Sequence, residues 1–278
     1  MLITPATFFK PQNGGTTLIL DETGLSGAAY ALGMRKLRSA YSGSAIRVRR
    51  SSDDTEQDIG FSGEDLDTSA LETFCSATDG YIVTWYDQSG NTNDLTQSTA
   101  ANQAQIVSSG STLTGSNSKP AATFDGSNDG YQAAFTLVNP ITRQSVISLD
   151  TFQGSDDVFD GYNGGTARLR MHNSNSSLLA LVNGRAFNVT APSYATWVII
   201  REMHSDTTNE DYQINATTEE TGNAGNDSDP GGVTVGCQSN FTDHTAMKLS
   251  EVIAWPSDLG GTAEGTARDN ANTYYSVY

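Results

Sequence analysis

The residues best equipped to do chemistry in this chain lie in one run, Val83-Thr84-Trp85-Tyr86-Asp87-Gln88-Ser89-Gly90-Asn91-Thr92-Asn93-Asp94. An apolar, β-branched and aromatic stretch stops at a polar turn, which reads as a core strand delivering a hydrogen-bonded loop to one edge of a β-structure. Trp85, Tyr86, Asp87, Gln88 and Asn91 combine a stacking face with a carboxylate and amides, groups that suit sugar hydroxyls. The same composition suits a structural loop whose side chains cap its own backbone amides. Asp125-Gly126-Ser127-Asn128-Asp129-Gly130 places oxygens at alternate positions (Asp125, Ser127, Asp129) and a glycine at the sixth, as a calcium loop begins. Thr136 stands where that loop needs its Glu, so a turn between two strands is the simpler reading. Arg47, Arg49 and Arg50 form a basic knot, for which Asp53, Asp54, Asp58 and Asp87 offer internal partners. His172, His204 and His244 lack ligand spacing and no glycine-rich phosphate loop occurs, so neither a metal nor a cofactor is expected.

The elements that must position these groups are short. Strand-like pieces recur at 45–49, 80–86, 104–108, 121–124, 131–137, 144–150, 167–171, 178–183, 195–202, 211–215, 232–236 and 247–255, with Gly, Asn, Ser and Asp clusters between them. That rhythm predicts an antiparallel sandwich rather than βαβ units. Helices are expected from Ser26 to about Arg38, where Tyr30, Met34, Leu37 and Tyr41 fall at helical spacing, from Ser69, and from about Thr262 to Tyr274. Residues 1–24 read as an arm, with Phe8, Phe9, Leu18, Ile19 and Leu20 as apolar anchors between Pro5, Pro11 and Gly14-Gly15. Residues 25–278 form the body, large enough at this length to need no staples. Cys75 and Cys237 are expected as two small buried thiols.

The net charge is -17. It argues against nucleic acid and anionic membranes as partners. The first fifteen residues lack a signal-peptide pattern, and no stretch approaches a membrane span, so assembly in a cytoplasm is expected.

Three blocks carry a resemblance. They are Ala40-Tyr41-Ser42-Gly43 with Ile46 to Asp53 and Asp58-Ile59-Gly60-Phe61, the run from Val83 to Gln97, and Leu249-Ser250-Glu251-Val252-Ile253 with Pro256-Ser257-Asp258. In this order the chain resembles the catalytic domain of α-L-arabinofuranosidase B, a concanavalin-A-like jelly roll, and also structural proteins of tailed bacteriophages. The resemblance implies an all-β, concanavalin-A-like antiparallel β-sandwich (jelly roll) with a few short helices and an N-terminal arm. It also implies a catalytic test. The enzymes use a Glu from a middle strand as nucleophile, and no Glu occurs between residues 73 and 201. Asp156, Asp157 and Asp160 are the carboxyls of that interval able to substitute. The enzymes' acid/base is an Asp in a Gly-rich turn. Here that turn reads Val235-Gly236-Cys237-Gln238-Ser239-Asn240, with Asp243 close by.

On these grounds the expectation is a non-enzymatic bacteriophage virion structural protein, a capsid decoration, cement or head-fibre protein anchored by its arm. Its expected partners are phage capsid or tail proteins and further copies of itself, as a trimer. The alternatives are a tail or fibre protein binding a cell-surface glycan through Trp85, Tyr131, Tyr162 or Trp255, and an active arabinofuranosidase-like hydrolase.

Overall fold

The computed structural model describes residues 17–151, 154–171, 175, 177–182, 186–205, 210–217, 220–223 and 228–278. In chain order the first strands are β1 (Tyr30–Gly33), β2 (Ile46–Arg50), β3 (Glu56–Ile59), β4 (Phe61–Ser62), β5 (Asp65–Leu66), β6 (Gly80–Trp85), β7 (Leu95–Thr96), β8 (Gln105–Ser108), β9 (Ser111–Thr112), β10 (Ala122–Asp125) and β11 (Tyr131–Ala134). They continue as β12 (Ile141–Leu149), β13 (Asp157–Asp160), β14 (Arg168–Met171), β15 (Leu178–Val182), β16 (Ala186–Thr190), β17 (Trp197–His204), β18 (Glu210–Ile214), β19 (Glu220–Gly222), β20 (Gly232–Val235) and β21 (Ala246–Trp255). Two α-helices complete the order, α1 (Thr68–Cys75) and α2 (Gly260–Tyr275).

The pairing is antiparallel and closes into a sandwich. One run of neighbours is β19–β18–β17–β12–β21, and β21 gives its other edge to β10 along its first half and to β1 along its second. The other run is β3–β2–β6–β7–β11–β20–β13–β14–β15–β16. Strand β8 pairs with both β6 and β10 and so joins the two. Inward side chains of both runs, among them Ile46, Val48, Trp85, Val233 and Leu181 against Ile147, Ile200, Leu249 and Val252, form one core. Period-two alternation is what puts them there.

Helix α2 lies on the outer face of the first run. Ala267, Ala271 and Tyr275, four residues apart, share one helix face and pack with Val146, Ile199, Ile253 and Trp255. The strands beneath it are therefore buried on both faces, which is why β12 reads as no clean alternation.

Two expectations change here. Residues 26–38 are not a helix: Tyr30–Gly33 pair with Glu251–Ala254 as strand β1. Tertiary pairing overrides the helical spacing of Tyr30, Met34 and Leu37, all three of which are buried anyway. Within the arm, Ile19 and Leu20 pack against Trp255, Leu25 and Ala267 of their own body, and Leu18 is buried beside them. Their apolar surface is spent inside the fold, not offered to a neighbour. Phe8 and Phe9 lie outside the described residues. Cys75 and Cys237 are both free and buried, and burial pushes their thiols up, to about 11 and about 12.

Candidate active site

The loop after β6 is held from within. Asp87 Oδ1 accepts the amides of Ala31 and Ser89, and Oδ2 accepts the Ser89 hydroxyl and the Asn93 amide, at 2.7 to 3.0 Å. Gln88 accepts the Leu37 amide and donates to the carbonyls of Gly33 and Arg35, while Asn91 donates to those of Ala28 and Ala29. Trp85 is turned into the core at 1% exposure. Of the five residues equipped for sugar hydroxyls, Tyr86 is half-buried with its hydroxyl on Asp58, and Asn91 is exposed; the others are consumed by the fold. The loop staples β1 to β6. Replacing Asp87 by Ala should strand several buried donors and cost about 3 kcal/mol, read as a lower urea midpoint; an unchanged midpoint would return the loop to a binding role.

The basic knot pairs internally. Arg47 meets Glu56 and Asp58 at 2.6 and 3.0 Å, Arg49 meets Asp54 at 2.7 Å, and Arg50 meets Asp53 at 2.6 Å. The 125–130 stretch is a turn between β10 and β11. Asp125 Oδ1 caps the amides of Ser127 and Asn128, and Asp129 Oδ2 caps that of Asp125, so the carboxylates first named as cation ligands serve the backbone. No group of three or more His, Cys, Asp or Glu able to hold a metal ion occurs among the described residues.

A carboxyl cluster forms elsewhere, where β13 meets the loop after β20. Strand β13 was not foreseen from the sequence because Asp156, Asp157 and Asp160 interrupt its apolar pattern. It places Val158 and Phe159 in the core, with Asp157 and Asp160 also covered. Asp160 is saturated: it accepts the amides of Gly161, Gly165 and Ser239 and pairs with Arg168 at 2.9 Å. That bond from Ser239 ties the 235–240 turn to β13, so the two segments where the resemblance places catalytic groups do meet. Gln238, in the turn, takes the Thr242 hydroxyl.

Arg170 holds the rest together. Its Nε stands 2.7 Å from Asp157, and its Nη2 lies 3.2 Å from Asp157 and 2.7 Å from Asp243. Two carboxyl oxygens bound to one nitrogen at those lengths are at most about 6 Å apart, a bound that admits the separation of about 5–5.5 Å in retaining glycosidases. Burial pushes the Asp157 carboxyl up to about 7, against the opposing pull of Arg170 and Arg168. Asp243 is partly open to solvent, its side chain 37% exposed. Arg168 and Arg170 were missed as site residues. Their signal was two arginines on one face of a strand whose other face, Leu169 and Met171, is apolar.

The remaining candidates scatter. Trp85, Tyr131 and Trp255 are buried rings, whereas Tyr162, just past β13, is 43% exposed. His204 is fully buried, His244 lies beside Asp243, and His172 is outside the described residues.

Residues 22–148 match the family model described as Alpha-L-arabinofuranosidase B, catalytic. The alpha-L-arabinofuranosidase B of Aspergillus niger is 46% identical over 65 residues, 23% of this chain and 13% of that protein, and that of Emericella nidulans is likewise 46% identical over 65 residues. The match thus spans a small part of the curated relatives' length. A GH54 a-l-arabinofuranosidase soaked with a cyclic sulfate inhibitor superposes with TM-score 0.69 at 19% identity, over 89% of this chain and 63% of the other. An arabinofuranosidase complexed with arabinofuranosyl-alpha-1,2-xylobiose gives 0.66 at the same identity and coverage. These findings overturn the expectation of a non-enzymatic virion protein, because the family model that matches describes a hydrolase's catalytic domain and not a capsid or fibre module. The doubt over catalysis rested on a missing Glu and an amide-lined turn; of the carboxyls named there as possible substitutes, folding brings Asp157 and Asp243 onto one guanidinium. The chain carries, over residues 22–148, a match to the arabinofuranosidase B catalytic-domain family, and its fold is the β-sandwich of the GH54 arabinofuranosidases.

Proposed function

We propose that the chain is a glycoside hydrolase that cleaves α-L-arabinofuranosides by a retaining mechanism. The observation that carries the reading is the shared guanidinium, with the carboxyls of Asp157 and Asp243 both on Arg170 Nη2. A retaining enzyme needs one carboxylate to attack the anomeric carbon and one carboxylic acid to protonate the leaving oxygen. Asp243, open to solvent and held by Arg170, takes the first role, the reverse of the assignment that the resemblance implies. Asp157, pushed up to about 7, holds its proton near neutrality and takes the second. Asp157 is covered in the resting fold, beneath the partly exposed Arg170 side chain. Asp160 fixes the loop that brings Asp243 into place.

The test is hydrolysis of 4-nitrophenyl α-L-arabinofuranoside, with the anomer of the first-formed arabinose read by proton NMR. Release of nitrophenol with retained configuration is expected. An inverted product removes the proposed roles, and no turnover removes the reading.

A further inference from the structure

A cleft of about 650 Å³ opens between the segment leading into β1, the loop after β6 and the end of β11. None of its lining residues is acidic, and none belongs to the carboxyl cluster. One of them is Arg38. The other arginines among the described residues all form salt bridges, from Arg35 with Glu251 to Arg268 with Asp269, and Arg38 forms none. Its Nη1 donates to the Ser89 carbonyl. Its Nε and Nη2 have no partner among the described residues, and neither is shut off from solvent. Gly90 makes room for the guanidinium: its φ is +98°, and a Cβ there would stand 2.8 Å from Nη1.

The groups left free select a ligand class. Nε and Nη2 present two parallel N–H bonds, the fork that a planar carboxylate accepts in bidentate fashion. Asn91 and Asn93 spend Nδ2 on the carbonyls of Ala28 and Ala29, so both amides are fixed and each Oδ1 remains open as an acceptor. The hydroxyls of Ser26 and Thr136 also have no partner among the described residues. The half-buried Phe135 ring, held edge-on by Tyr30 at 5.9 Å, adds an apolar wall. Such a lining suits a compact ring that carries one carboxylate and several hydroxyls. A phosphate dianion is disfavoured, because a single guanidinium then stands against the net charge of -17. A neutral sugar would leave the fork unused. The volume lies within the range of ligand sites, about 300–1,000 Å³.

We propose that this cleft binds a sugar acid, whose carboxylate takes the free edge of Arg38 and whose hydroxyls meet Asn91, Asn93, Ser26 and Thr136. The ligand then supplies the counter-charge that the fold itself gives to every other described arginine. The site shares no residue with the carboxyl cluster, and it does not depend on the hydrolase reading.

Calorimetric titration of the whole chain with D-glucuronate, D-galacturonate, D-glucose, acetate and inorganic phosphate tests this. One of the two sugar acids should bind with a Kd of about 1 mM or below, and glucose, acetate and phosphate at least about tenfold more weakly. Arg38→Gln should weaken the sugar acid about tenfold or more, because charge and fork are both lost. Arg38→Lys keeps the charge alone and should fall between. Ser26→Ala removes a hydroxyl that bonds nothing in the described fold, so it should cost about threefold with the melting temperature unmoved. Binding of neither sugar acid, glucose held as tightly as the acid, or unaltered binding in Arg38→Gln overturns the proposal. Acetate or phosphate held as tightly overturns it too, by making the cleft a site for any anion. Should Arg38→Gln lower the melting temperature, Arg38→Lys and Ser26→Ala decide, and unaltered binding in both ends the proposal.

Discussion

Asp243→Asn should lower kcat on 4-nitrophenyl α-L-arabinofuranoside by about 10³-fold or more, with KM little changed. The amide is isosteric and can still accept from Arg170, so the loop after β20 keeps its place on β13 through the Ser239–Asp160 bond. What disappears is the negative charge to which the proposed function assigns the attack on the sugar. A purely structural Asp243 would give a different result, a lower melting temperature with an unaltered rate per folded molecule. Asp157→Asn completes the argument through pH. The acid role needs Asp157 protonated, so activity should fall as pH rises through about 7, where burial has moved that carboxyl. The Asn variant, unable to donate, should be slow at every pH and lose that basic limb. A rate that keeps the same basic limb in Asp157→Asn would assign the acid to another group.

Arg143→Met should destabilise the fold by about 3–5 kcal/mol, a fall of roughly 10 °C in melting temperature for a body of this size. Arg143 crosses the core beneath β13, stacking on Phe159 at 4.4 Å and donating to the Ala167 carbonyl. Its charge is met by Glu202 at 2.7 Å, and Glu202 in turn stands 3.0 Å from His204. His204 also lies 3.3 Å from Glu210. All four side chains are almost fully buried, so removing the arginine leaves acids without their cation in a low-dielectric interior.

The pH dependence of this network follows from its two shifts. Burial pushes the His204 imidazole down, but its contacts with Glu202 and Glu210 outweigh that and raise it. Its contribution is then complete below the unfolded histidine value and fades as pH rises through the folded one. Burial raises Glu202, while Arg143 and His204 outweigh that and hold it low. Its contribution is complete above the unfolded carboxyl value and is lost as pH falls through the folded one. Stability from the network should therefore peak between the two unfolded values, in mildly acid solution, and thermal melts across pH should show that maximum, with its acid limb reduced in Arg143→Met. A wild-type profile flat across that window would remove the charged histidine from the account.

Much of the architecture is legible from residue order. Period-two alternation and turn residues mark most of the strands that are observed, and Trp85-Tyr86-Asp87-Gln88-Ser89-Gly90 stands out as an apolar strand ending in a polar turn, although the backbone partners of Asp87 and Gln88 on Ala31, Gly33, Arg35 and Leu37 come only with the fold. Strand β1 is not legible in this way: Tyr30–Gly33 take their conformation from pairing with Glu251–Ala254, more than two hundred residues away. Nor is β13, whose carboxylates obscure an apolar pattern and become tolerable only once Arg168 and Arg170 stand opposite.

The sequence by itself determined the fold class, the turn at 125–130 and the internal pairing of Arg47, Arg49 and Arg50, because each depends on neighbours a few residues apart or on a simple period. Only the tertiary structure decided where the carboxyls meet. Asp157, Arg170 and Asp243 are brought together by the pairing of β13 with β14 and β20, and the shift of Asp157 is a property of burial and charge. A search for one Glu in one strand reads residue identity. Catalytic competence depends on separation and desolvation, which strand pairing sets.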